Sequence, residues 1–206
     1  MPLAEGPHLD RLLEAIAVEG RGQRALLAGE DRTAAEALLE SSGLYRQSWE
    51  LASPTAFGRL IGMLKAAVIA GDASSAAAYA RTQLPDPVES APASYALAIA
   101  ALIERDDATA RAASAGMRSG SPPFVRTADA IDALLDHDAE RYAGAVGEIV
   151  ADFEAREEHL TSVPIADTAI MLERLAEARG MASRPVSPLL PAAHQGSGGP
   201  GPRAPT

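Results

Sequence analysis

The chain is 206 residues long, 47% apolar and only 4% aromatic, with no cysteine and a net charge of −10. Disulfide and thiolate chemistry are therefore excluded, and nucleic acid and anionic membrane surfaces are disfavoured as partners, because this field repels them. What remains is a single domain rich in Ala, Leu, Ile and Val, a composition that suits closely packed helices better than a sheet. Of the 18 basic residues only Lys65 is a lysine. The chain opens with no basic segment leading into an apolar run, and no stretch of about 18 apolar residues occurs. A cytoplasmic protein without a membrane partner is expected.

In chain order, helices are predicted over 8–20 and 31–42, the second ending near Gly43. The stretch "GLYRQSWELASP", 43–54, reads as a connection carrying the only tryptophan. Pro54 suits the first turn of a third helix that runs to Gly71, with Phe57, Leu60, Ile61, Leu64 and Val68 on its apolar face. Asp72 is placed to cap a fourth helix, 73–84. Beyond the loop "PDPVESAP" come helices over 93–105, 107–117, 124–137, 139–159 and 164–179, the last stopped by Gly180. "SPLLP" is expected to pack on that last helix through Leu189 and Leu190, and 192–206 to be a disordered Gly/Pro-rich tail beyond a helical domain of 1–191.

Four segments share one pattern, an apolar helix, a short polar turn with Asp, and a helix of small residues. They are "LLAGEDRTAAEAL", "VIAGDASSAAAYA", "LIERDDATARAA" and "LLDHDAERYAGA". Aligned on Asp31, Asp72, Asp106 and Asp138, they recur at intervals of 41, 34 and 32 residues. A period near 34 with small residues on the second helix is that of stacked helical hairpins of tetratricopeptide type. The fold expected is all-α, eight or nine helices in stacked antiparallel hairpins. An irregular bundle of antiparallel helices fits the same text.

Chemistry-bearing motifs are scarce. His8, His137, His159 and His194 stand far apart and in no metal-binding spacing. "DHD", 136–138, reads as a capped turn, and "GSGGPG" follows no strand and opens no helix, so it is no phosphate cradle. No cofactor, metal or catalytic residue is expected, and the chain reads as a non-enzyme. A deep pocket holding two or more buried carboxylates would argue otherwise. The charge run "EAREEH" places Glu154, Glu157 and Glu158 at the end of an amphipathic helix, as a solvated face or a partner-binding patch. Trp49 is either an anchor for the N-terminal hairpin or a binding hot spot.

The last third, "RYAGAVGEIVADFEAREEHLTSVPIADTAIMLERLAEARGMASRPVSPLLP", together with "AAVIAGD" and "YALAIAALIERDD", resembles the helical immunity proteins of bacterial polymorphic toxin systems, in particular the immunity protein 49 family. The resemblance spans about residues 55–191 and implies an all-helical protein that neutralises a cognate toxin by binding it. The partner so implied is a protein, a basic toxin domain that the acidic chain would attract. A general helical-repeat adaptor, taking a peptide or protein in a regulatory complex, is the alternative.

Overall fold

Ala-rich segments with apolar residues at helical spacing fold as their propensity dictates. The computed structural model describes residues 6–192, and these hold nine helices and no strand. They are α1 (Pro7–Leu27), α2 (Asp31–Leu51), α3 (Gly58–Ala70), α4 (Ser74–Gln83), α5 (Ala91–Glu104), α6 (Asp107–Met117), α7 (Pro122–Leu135), α8 (Ala139–Glu154) and α9 (Asp167–Glu177). The all-α architecture is as expected. None of these helices is long and apolar enough to cross a membrane. Of the tail expected over 192–206 only Ala192 is described; the remainder lies outside the described residues.

Several boundaries differ from expectation. α8 ends at Glu154, five residues short of the expected 159, so Glu157 and Glu158 lie beyond the helix, and α9 is shorter than expected at both ends. α1 continues seven residues beyond Gly20, and α2 passes through Gly43 to Leu51, so Trp49 lies in a helix and not in a connection. The buried stripe explains why. Leu38, Ser41, Ser42, Tyr45, Ser48 and Trp49 recur at three and four residues across Gly43. Burying that stripe outweighs the roughly 1 kcal/mol that one helical glycine costs. Its serines also tie α2 to its neighbours. Ser41 Oγ donates to the Ala15 carbonyl of α1 at 2.9 Å, and Ser42 Oγ to the Met63 carbonyl of α3 at 2.9 Å. α3 differs too: it starts at Gly58, so that Pro54 sits in the preceding turn.

The recurring turns share a backbone solution. In each of the four hairpins one residue takes a left-handed conformation: Gly29, Gly71, Arg105 and His137. The N–H that follows it reaches back five residues to an alanine carbonyl. Glu30 bonds Ala25, Asp72 bonds Ala67, Asp106 bonds Ala101 and Asp138 bonds Ala133, at 2.9–3.2 Å. This is the Schellman closure of a helix C-terminus. α9 ends the same way, with Gly180 left-handed and Met181 bonded to Ala176 at 2.9 Å. Asp106 and Asp138 then cap the next helix, accepting from Thr109 N–H at 3.1 Å and Arg141 N–H at 3.0 Å. Asp31 and Asp72 do not cap. Glu30 and Ala73 hold those N-cap positions, and neither makes a side-chain cap bond. After Gly71 the chain has one more residue before the helix begins, so Ala73 takes the N-cap position and Asp72 lies one residue ahead of it.

Consecutive helices pack as neighbours from α1 to α8, except that 155–166 intervene before α9. α5 is buried on nearly every side, and its alanines at 93, 96, 98, 100 and 101 let α3, α4 and α6 approach it closely. α9 turns back against α3, α7 and α8. It too is buried on most faces, with Ile170, Met171 and Leu172 fully enclosed. The segment after α9 is held by Glu173, buried at 3% exposure, which accepts from Ser183 N–H, Ser183 Oγ and Arg184 N–H at 3.1, 2.9 and 2.6 Å. Leu190 enters the core, and the Leu189 carbonyl accepts from the Ala166 N–H at 3.0 Å.

Two glycines give opposite predictions. A Cβ at Gly22 would stand 2.8 Å from Leu38 Cγ, whereas one at Gly43 meets nothing within 4 Å. Gly22→Ala should lower stability by about 2 kcal/mol through overpacking of α1 on α2. Gly43→Ala should raise it by about 1 kcal/mol through helix propensity. Chemical denaturation of the two variants checks both signs.

Candidate functional site

Charged side chains are rarely buried without partners. The most concentrated polar group in this core joins four helices. Glu19 and Gln23 lie one turn apart on α1, Tyr45 comes from α2, Lys65 from α3, and Asp167 and Thr168 open α9. Tyr45 Oη donates to Glu19 Oε2 at 2.6 Å, and Gln23 Nε2 donates to Glu19 Oε1 at 3.2 Å. Lys65 Nζ lies 2.6 Å from Asp167 Oδ2 and donates to Thr168 Oγ1 at 3.1 Å. Thr161, in the segment before α9, donates to Gln23 Oε1. The Tyr45 ring reaches Glu19 because Gly62 leaves room for it; a Cβ there would stand 2.8 Å from the ring.

Burial sets the electrostatics. Glu19 is 3% exposed, and its carboxyl is pushed up to about 7, first by desolvation and then by the Asp167 charge, against the Tyr45 hydrogen bond and Lys65. Desolvation, followed by Glu19, also raises the Tyr45 phenol. For Lys65, desolvation is the largest influence and favours the neutral amine, but Asp167, Tyr95 and Glu19 together outweigh it and the ammonium is held. The Tyr95 hydroxyl is buried nearby without a hydrogen bond of ordinary geometry, and burial raises its phenol too.

This group floors two clefts. The larger, about 410 Å³, has apolar walls that include Leu12, Phe57, Ile61 and Leu160, with Arg59 at its side donating to Ser48 Oγ at 2.8 Å. The smaller, about 190 Å³, is lined by Phe153, Arg156, His159 and Thr161 among others. Glu19, Lys65, Leu160 and Asp167 border both. The pocket with two buried carboxylates that would mark a catalytic cleft is thus present in outline. Each of its charged groups is nevertheless committed to a neighbour, Asp167 to Lys65 and Glu19 to Tyr45 and Gln23. The arrangement braces α1, α2, α3 and α9 against one another.

The segment between α8 and α9 also carries most of the acidic run singled out in the sequence. Glu154 closes α8 and accepts from Ser187 Oγ at 2.6 Å. Glu157 and Glu158 follow, exposed and with no ion pair among the described residues. Two residues on, Leu160 is 73% exposed. Arg156 stacks over the Phe153 ring, 3.7 Å from its centroid, and pairs with Asp152 at 2.6 Å. Trp49 belongs elsewhere. It is 6% exposed, packs 5.6 Å from the Phe57 ring centroid and donates Nε1–H to Gln83 Oε1 at 3.2 Å. No contact joins it to the acidic run. In "DHD", Asp136 pairs with Arg111 and Arg141, which hold its carboxyl below the usual range, while Asp138 caps α8. Among the described residues no three or more His, Asp or Glu are grouped to hold a metal ion.

No local spacing in the sequence brings Glu19, Tyr45, Lys65 and Asp167 together. One signal was available: Lys65, the only lysine, follows Ile61 by four residues and precedes Val68 by three, on the apolar face of α3. In comparisons with known proteins, no family model matches the chain, and neither a curated protein nor a solved structure is significantly similar to it.

The elevated Glu19 carboxyl makes stability depend on pH. Between about pH 5 and 7 the folded chain keeps a proton on Glu19 that the unfolded chain has released, so stability falls as pH rises through this window and levels off above it. The shift from 4.5 to about 7 corresponds to roughly 3 kcal/mol. Glu19→Gln should flatten the profile and be the more stable protein at about pH 8. Thermal melts of both proteins across the range check this, and superimposable profiles would contradict it.

Proposed function

We propose that the chain is a non-enzymatic, immunity-type binding protein that neutralises a basic toxin domain by direct contact, and that 155–166 is its docking segment. One observation carries the reading: Leu160, 73% exposed, stands three and two residues from the free carboxylates of Glu157 and Glu158. An apolar side chain beside like charges is the arrangement of an interface anchor with a charged rim. The net charge of −10 would draw a basic partner toward it. The buried Glu19–Lys65–Asp167 group lies beneath, so the segment rests on a braced floor and little ordering is needed on binding. The reading rests on this surface and not on kinship, and it concerns a protein partner, with no cofactor.

The adaptor reading requires an inner face open to a peptide. α9 covers α3 and α7 on one side, which favours the outer segment as the point of contact.

Capture of the partner from the producing cells, followed by a growth-rescue assay with the captured toxin, tests the function. With that partner in hand, Glu157→Lys combined with Glu158→Lys should raise Kd at least about tenfold, with a weaker salt dependence than wild type. Leu160→Ala should raise Kd by a similar factor without changing the salt dependence. Glu154→Lys additionally breaks the bond to Ser187, so it is read separately. Unchanged affinity in the double variant and in Leu160→Ala would move the docking surface elsewhere. Failure to rescue growth would remove the immunity reading.

A further inference from the structure

At the opposite end of α9 from the Glu19 group, about 15 Å along the helix axis, a separate cleft of about 420 Å³ opens between the ends of α3, α5 and α9 and the start of α4. Three arginines line it, Arg105, Arg174 and Arg179, against one carboxylate, Glu177. With Asp107 paired to Arg179, an excess of one positive charge remains, in a chain of net charge −10.

Two of the arginines have structural tasks. Arg105 Nη2 donates to the Ala178 carbonyl at 2.7 Å. Arg179 donates to the Leu102 carbonyl at 3.2 Å and to Asp107 Oδ1 at 2.8 Å. These bonds satisfy carbonyls at the C-terminal ends of α5 and α9. Arg174 has no such task. Its side chain makes no hydrogen bond among the described residues and is held only by a long ion pair to Glu177, 4.0 Å from its Nη1; its Nε is buried without a partner. The cleft is also bordered by Ala73 and Ser74, where α4 begins with no side-chain cap. Its first N–H groups are thus uncapped donors. Val68, Leu102 and Leu175 supply an apolar wall.

We propose that this cleft binds a small phosphate monoester. Arg174 and the N–H groups at the start of α4 hold the phosphoryl oxygens, Arg105 and Arg179 supply the surrounding positive field, and the organic group lies on Val68, Leu102 and Leu175. A phosphoryl dianion matches the site better than a carboxylate. It brings three acceptor oxygens and close to two charges to guanidinium forks and amide donors that approach from different elements.

Phenyl phosphate is the probe, titrated calorimetrically into the full chain at low salt beside inorganic phosphate and benzoate. Saturable binding of phenyl phosphate is expected, with inorganic phosphate weaker by about tenfold because it leaves the apolar wall unused. Arg174→Gln should weaken phenyl phosphate about tenfold while the melting temperature of the free protein stays unchanged. No saturation by about 10 mM phenyl phosphate, or an unaltered Kd in Arg174→Gln, would overturn the site. Benzoate binding as tightly as phenyl phosphate would overturn the assignment to phosphate. If Arg174→Gln shifts the melting temperature, amide NMR of the wild-type chain decides: movement of the Ser74 and Ser75 resonances on titration supports the proposal, and their constancy overturns it.

Discussion

The contact between the Lys65 ammonium and the Asp167 carboxylate, 2.6 Å apart and mostly out of water, fixes where the last helix goes. Two charges this buried are tolerable only as a pair with further hydrogen bonds, which Thr168 supplies to Lys65. The pair therefore specifies one seat for α9. From that seat follow the enclosure of Ile170, Met171 and Leu172, the packing of α9 against α3, α7 and α8, and the path of 155–166 beside the two clefts. Glu19 and Tyr45 stand beside the pair on α1 and α2, and Glu19 is coupled to it through charge, which relates the first hairpin to the last helix.

Against this long-range contact stands a local device used five times. α1, α3, α5, α7 and α9 all finish with an alanine carbonyl capturing an N–H five residues on, across one left-handed residue. Glycine takes that position without strain in three cases. Arginine and histidine take it in the other two, where Arg105 and His137 pay a local conformational penalty. Arg105 has an evident compensation, since its side chain bonds the end of α9. The even-numbered helices lack the device. Each odd helix with its successor is thus a unit with its own internal punctuation, and the units differ mainly in what closes over them.

The helices themselves were plain in the residue pattern, because Ala and Leu at three- and four-residue spacing leave few alternatives. Boundaries were less legible. Gly43 reads as a stop, yet a buried stripe continues through it, and only the neighbouring helices α1 and α3 make that continuation favourable. Asp72 reads as a cap, yet one extra residue displaces it. The candidate site was legible only at its surface. Glu154, Glu157 and Glu158 announce themselves as a charge run, whereas Leu160 beside them looks like any other leucine until its exposure is known. Glu19 and Asp167 are separated by almost the whole folded chain, and no local spacing can bring them together. Trp49 shows the converse: a rare residue attracts notice, and its ring is turned inward on Phe57.

The late position of α9 in the chain has a consequence for biosynthesis. As the polypeptide leaves the ribosome, the hairpins from α1 to α8 can form in order from contacts between neighbours, which is the fast part of helical folding. The surfaces of α3 and α7 that α9 will cover stay uncovered until residue 177 and the residues beyond it have emerged. Lys65 meanwhile waits without its carboxylate. A nascent chain stopped before α9 would present an apolar surface to the cell.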